Sequence, residues 1–184
     1  MGRKYLIRDQ NAIYFVTFTV VQWVDIFTRD IYREIFVDAV KYCQNKKGLE
    51  VFAWCLMTNH AHLIIGTRGD NKLENIIRDL KRHTSKSIRD EIESSISESR
   101  KKWMLEIFYK AGMENKRNND FQLWQQHNHP VELSTNEMMD KRLDYLHYNP
   151  VKAGYVTAPE YWQWSSAMDY FGVGKGKIDL KFIE

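Results

Sequence analysis

Residues 55–65 read CLMTNHAHLII. The stretch is apolar up to Met57, breaks at Thr58-Asn59, and resumes through Leu63, Ile64 and Ile65, with His60 and His62 on either side of a small Ala61. Side chains of a strand alternate between faces. An extended chain therefore sets the imidazoles of His60 and His62 side by side and turns Ala61 and Leu63 to the other face. Two parallel imidazoles on a rigid strand make half a metal site, because imidazole is the commonest metal ligand. The same H-x-H spacing also suits two half-buried histidines bonded to their neighbours, and the spacing alone leaves both open. The Thr58-Asn59 pair is short enough for a tight turn, which makes residues 49–57 an antiparallel partner strand.

Outward from this hairpin the patterning alternates. Residues 13–21 (IYFVTFTVV) are β-branched and aromatic and read as a buried strand. Residues 30–45 carry Ile31, Ile35, Phe36, Ala39, Val40 and Cys43 at helical spacing, and Gly48 ends that helix. Residues 73–92 form a second helix, with Leu73, Ile76, Ile77, Leu80, Thr84 and Ile88 on one stripe. Residues 91–120 are the least patterned. They read as an insertion, helical over 99–110 with Trp103, Ile107 and Phe108 on one side, then a mobile loop MENKRNND. Residues 121–133 (FQLWQQHNHPVEL) read as a fourth strand breaking at Pro130, with His127 and His129 a loop feature.

A capping box, Ser134 with Glu137, opens the last helix, which runs through Met138, Met139, Leu143 and Leu146. Pro150 disfavours helical geometry at Asn149 and should end it there. On that helix Tyr145 and Asn149 are four residues apart and share a face. Strand, helix, strand, strand, helix, strand is the split βαβ order. The expected fold is α+β: a ferredoxin-like (RRM-like) antiparallel sheet with helices on one face and the added C-terminal helix near the open one. Residues 1–184 make a single domain with the insertion at about 91–120.

Composition narrows the class without naming a substrate. The net charge of +3 does not by itself announce nucleic acid, so any such signal lies in how charge is distributed. Six Trp and ten Tyr suit either a thick core or surfaces on which bases stack. Cys43 and Cys55 lie in apolar segments, form no disulfide framework and do not match zinc-ligand spacing. The N-terminus has no apolar segment of signal-peptide length, and no apolar run reaches the roughly 18 residues of a membrane span. The expectation is a soluble, cytoplasmic, nucleoid-associated protein with no membrane partner.

The second helix also carries Arg78, Arg82, Lys86 and Arg89 at steps of four, four and three, with Lys81 and His83 beside them. A charged helix face is usually only solvated. This one has a single sign, relieved nearby by Asp79 and Asp90, and a polyanion would neutralise it.

NHAHLII on a strand, LDYLHYNPVKAGYV on a late helix, and WQWSS after it together resemble the REP-associated tyrosine transposases, of the HUH class of single-strand insertion-sequence transposases. The likeness runs from about residue 12 to 171 and is weakest over 91–120. It implies that His60 and His62 bind a divalent metal, that Asn149 completes the metal site, and that Tyr145 is the nucleophile. Two positions depart from the pattern: Ala61 is smaller than the usual middle residue, and Thr58 stands where proline is common. Both bear on packing more than on chemistry.

Two neutral imidazoles and an amide oxygen leave a metal's charge almost uncancelled, a strong Lewis acid for a phosphodiester oxygen. The oxygen donor and absent thiolates favour Mg²⁺ or Mn²⁺, and the imidazoles tilt the choice toward Mn²⁺. A phenol, with a pKa of about 10, needs such a metal or a nearby cation to become nucleophilic at neutral pH. The activity implied is single-stranded DNA cleavage and rejoining through a 5′-phosphotyrosine, on hairpin-containing DNA, by a monomer or homodimer. Arg78, Arg82, Lys86, Arg89 and Lys152 are the residues expected to touch phosphates. The alternative is a non-catalytic single-stranded nucleic-acid-binding module that stacks bases on an RRM-like sheet. A metal hydrolase of small phosphate esters ranks last, for want of acidic ligands.

Overall fold

A computed structural model describes residues 6–115 and 120–182. Four strands, β1 (Tyr14–Thr19), β2 (Leu49–Leu56), β3 (His60–Thr67) and β4 (Val131–Glu132), form one sheet in the order β2-β3-β1-β4. All its pairings are antiparallel. This is the ferredoxin-like order, with α1 (Asp30–Lys47) and α2 (Leu73–Ser94) as the crossovers. Gly48 closes α1 in the left-handed region, at φ 75°, donating its N–H to Cys43. A Cβ there would lie 2.3 Å from the Arg68 carbonyl oxygen, so only glycine fits.

Alternation along the central strands separates two cores. Tyr14, Val16 and Phe18 of β1 and Ala61, Leu63 and Ile65 of β3 pack with the apolar stripes of α1 and α2. The helix expected in the insertion is α3 (Lys101–Met113), and its Met104 and Phe108 are fully buried in that same core. Part of the loop expected over 113–120 lies outside the described residues. On the other face, Phe15, Ala53, Cys55 and Ile64 pack with Leu146 of α4 (Asn136–Lys152). Cys43 and Cys55 are free and buried, and burial raises both thiol pKa values.

Three local expectations shift. Residues 121–133 do run along β1: Trp124 bridges Val20, Gln125 N–H bonds Thr19 O at 2.7 Å, and Thr17 N–H bonds Asn128 O at 3.0 Å. Regular pairing is nevertheless confined to Val131 and Glu132, just past Pro130, because the chain bulges where His129 takes φ 43°. The cap of α4 is Thr135, not Ser134: its Oγ1 accepts the N–H of Met138 at 3.2 Å. Pro150 lies inside α4 and does not stop it at Asn149. A proline in the last turn forgoes one hydrogen bond, and Ala153 N–H still reaches Asn149 O at 3.0 Å.

The aromatic tail packs back on the sheet and seals the β2 edge. Leu56 N–H bonds Trp164 O at 2.8 Å, Ser166 N–H bonds Trp54 O at 2.9 Å, and the indole of Trp162 donates to Leu56 O at 3.0 Å. Buried His147 of α4 meets Ser166 Oγ at 2.8 Å, and burial lowers its pKa to about 4. The WQWSS segment therefore fixes both a sheet edge and the seating of α4.

Candidate active site

The register Thr19↔His60 and Thr17↔His62 puts both histidines on the sheet face that α4 covers. Their ring centroids are 4.8 Å apart. Leu146, His147 and Pro150 anchor α4 by burial. That anchoring presents Tyr145 and Asn149, one helical turn apart, toward β3. The Tyr145 ring lies 5.1 Å from the His62 ring, edge-on, and Asn149 Nδ2 is 3.3 Å from His62 Nε2. Segments more than eighty residues apart in sequence thus meet at one point.

Neighbouring groups settle which nitrogens are available. His62 Nδ1 is 2.9 Å from Thr17 Oγ1, and His60 Nδ1 is 2.7 Å from Asn59 Oδ1. An amide oxygen can only accept, so His60 carries its proton on Nδ1 and leaves the Nε2 lone pair free. With Nδ1–H of His62 donated to Thr17, its Nε2 likewise faces Asn149 as an acceptor. Burial lowers the pKa of His60, against the pull of Asp25. Burial, then His60 and Arg142, lower that of His62 to about 3. Both rings are neutral at physiological pH, the state a metal requires. Among the described residues no group of three His, Cys, Asp or Glu is disposed to hold a metal. The donor set here is two imidazoles plus the side-chain amide of Asn149, and turning that amide would present its oxygen. These residues fit a divalent ion.

Sequence reading missed the support of this site. Asp25 Oδ1 accepts from Thr58 Oγ1 at 2.6 Å and from Asn59 Nδ2 at 2.8 Å, and the far side of the Asn59 amide orients His60. Thr58, which departs from the proline common at that position of the pattern, latches the β2–β3 turn to the segment after β1. Ala61 faces the main core between Phe18 and Leu56, both large and fully buried, which accounts for its small size. Asp25 lies in a loop without periodic pattern, so nothing marked it in advance.

Lys152 reaches the site, its Nζ 6.0 Å from the Tyr145 ring centroid. Tyr148 stays exposed on α4. The cationic stripe lies elsewhere, since α2 packs on the face opposite the histidines. Arg78 and Arg82 both pair with Asp79, at 3.3 and 3.1 Å, and Arg89 pairs with Asp90 and Asp120, at 3.4 and 3.5 Å. Lys86 is exposed. Lys81 is no part of the stripe: its ammonium is held by Gln125 O and Asn128 Oδ1, each at 2.6 Å. Burial lowers its pKa to about 8.

No curated protein matches the chain. A solved structure described as a REP-associated tyrosine transposase bound to a REP hairpin superposes on 100% of this chain and 93% of its own. Its TM-score is 0.64 at 16% identity, a likeness of fold. A candidate transposase from Deinococcus radiodurans aligns over 81% of this chain and 95% of its own, with TM-score 0.43 and 15% identity. No helix among the described residues is long and apolar enough to cross a membrane. The model of the IS200-like transposases matches residues 10–120, a span that holds the histidine strand and stops short of α4. With well over half its length so matched, the chain belongs to the IS200-like transposase family.

Proposed function

We propose that the protein cuts and rejoins single-stranded, hairpin-containing DNA in the cytoplasm, through a covalent link between Tyr145 and a 5′ phosphate. The observation that carries this is the convergence on His62 of Tyr145 and Asn149 from α4. His60, His62 and Asn149 would hold a divalent ion, Mn²⁺ or Mg²⁺. When bound it supplies Lewis acidity to a non-bridging phosphate oxygen. The chain's own residues do the rest. Thr17 and Asn59 hold the imidazoles in the tautomers that leave Nε2 open. Lys152 offers positive charge beside the phenol, where a phenolate would form.

The Tyr145 oxygen attacks phosphorus and loses its proton, and the bond from phosphorus to the 3′ oxygen breaks. That oxygen takes up a proton and leaves as a free 3′-OH. The phosphotyrosine ester conserves the bond energy, so the same 3′-OH, or another, can attack it and reseal the strand without ATP. The solved relative of this fold is bound to a REP hairpin. A structured single strand is therefore the substrate class to test first.

A purely binding module of the RNA-recognition kind needs an open, aromatic sheet face. Here α4 closes that face, leaving Phe15 and Phe52 only 5% and 4% exposed. The decisive test mixes the protein with end-labelled hairpin DNA and Mn²⁺, then denatures it. The expected result is a protein–DNA adduct that survives denaturant, is absent from Tyr145→Phe and persists in Tyr148→Phe. An adduct lost with Tyr148 instead would move the nucleophile by a turn. No adduct on any hairpin would return the protein to the binding class.

A further inference from the structure

The segment between β1 and α1 carries a feature that the cutting chemistry does not use. Gln22 and Trp23 both sit in the left-handed region, at φ 52° and 56°. For residues other than glycine that is strained, and the strain persists only where surroundings impose it. The surroundings do impose it. Val20 N–H bonds Asn59 O at 2.9 Å, Phe27 N–H bonds Thr58 O at 2.8 Å, and Arg100 Nη1 donates to Asp25 O at 2.8 Å. Two strained positions would favour glycine for stability, yet one carries the largest side chain there is. The Trp23 indole is not buried: it is 57% exposed, and its ring meets the His60 ring edge-on at 5.7 Å. A rigid, solvent-facing indole thus stands at the rim of the histidine pair, held by the same turn that orients His60.

We propose that Trp23 is a stacking platform for an unpaired nucleobase beside the phosphate to be cut. This assignment rests on the proposed single-strand substrate. An exposed π face on a fixed backbone stacks any base without reading its edge, so the platform would set where the strand lies and not which sequence is taken. Its place beside His60 fixes the base as a near neighbour of the reacting phosphate.

The test measures binding of a labelled hairpin with a single-stranded arm by the full chain, with one abasic nucleotide moved along the arm. At one position the abasic site should weaken wild-type binding by about 5- to 100-fold, the usual worth of one stacked base. Trp23→Leu, apolar but without a π face, should show the same loss with intact DNA and no further loss at that abasic position. Trp23→Tyr should keep most of the affinity. Trp23→Gly, suited to φ 56°, should bind as weakly as Trp23→Leu while melting no lower than wild type, which separates stacking from a structural role.

Wild-type affinity in Trp23→Leu, or losses that simply add at every abasic position, would overturn the platform. The covalent adduct, scored in parallel, reads the Tyr145 chemistry separately. Adduct with additive losses sinks the platform and spares the nuclease. Coupled losses without adduct keep the platform and sink the nuclease. No binding to any single strand overturns both.

Discussion

The two faces of the sheet are made by the same two strands and do different work. On β1 and β3, Tyr14, Val16, Phe18, Ala61, Leu63 and Ile65 enter the large core under α1 and α2. Their immediate neighbours Thr17, Thr19, His60 and His62 face α4 and carry hydroxyls and imidazoles. A single residue step separates stability from chemistry, because the period of a strand is two. Each face therefore constrains the other: β3 cannot slip in register without carrying the histidines into the core.

Adjacent substitutions should break this comparison most sharply. His60→Ala should abolish the DNA adduct and leave the unfolding transition nearly in place, since His60 is only half buried. Leu63→Ala should do the reverse at permissive temperature, costing about 2–5 kcal/mol by denaturant titration while the remaining folded protein still forms adduct. Full adduct formation by His60→Ala in Mn²⁺ would remove the histidines from the chemistry.

A buried carboxylate on the large-core side is linked to the histidine turn through Arg100. Glu98 is 6% exposed, accepts from Tyr32 Oη at 3.0 Å, and pairs with Arg29 Nε and Arg100 Nε at 3.1 and 3.0 Å. Burial opposes its ionisation, but the hydrogen bonds from Arg100 and Tyr32 outweigh it and hold its pKa at about 2. The folded value lies below the unfolded value of about 4.3. Its contribution is thus complete above roughly pH 5 and is lost as pH falls toward 2. Glu98→Gln should cost on the order of 3 kcal/mol at neutral pH and flatten the acid limb of stability against pH. An unchanged acid limb would show that the carboxylate does not carry it. Because Arg100 also holds the Asp25 backbone, loosening this cluster should disturb the His60 side of the sheet too.

A smaller effect is expected where the site is oriented and not built. Asp25→Ala frees Thr58 and Asn59 from their shared acceptor, and a lost support of this kind typically costs 10- to 100-fold in metal affinity or rate. Manganese titration of cleavage should show it mainly as a raised metal requirement. A variant with wild-type metal dependence would leave the His60 ring oriented by packing alone.

These support groups mark where sequence legibility ended. The hairpin, the crossover helices and the pairing of Tyr145 with Asn149 were readable because each depends on a local period: two along β3, four along α4. Asp25, Thr17 and the His147–Ser166 pair were not, because each bonds a residue at least nineteen positions away through a side chain that any loop or strand could carry. The fourth strand was half legible. Its residues are strand-like in type, but the bulge before Pro130 leaves only Val131 and Glu132 in regular pairing. Pro150 misled because the bias against helical geometry before a proline is a preference and not a bar, and the last turn of a helix can forgo the bond the proline removes.

The weakest effect is expected from the stripe on α2, which tests how far the DNA extends around the sheet. Arg78 and Arg82 share Asp79, and Arg89 is divided between Asp90 and Asp120, so each would have to give up a carboxylate to gain a phosphate. Lys86 is exposed and stands between them along the helix. Each phosphate that a substitution leaves without its cation should reduce the slope of log affinity against log salt by about 0.7 for a single strand. Lys86→Gln should therefore flatten the slope by most of that amount, and Arg78→Gln or Arg82→Gln by less, with equal effect on all sequences. The stripe lies across the sheet from Tyr145, so a hairpin must wrap an edge to touch both. Long hairpins should then show the change, and a short strand spanning only the cleavage point should not. A slope that ignores Lys86 at every DNA length would make the α2 face a solvated one, and confine the DNA to the α4 side.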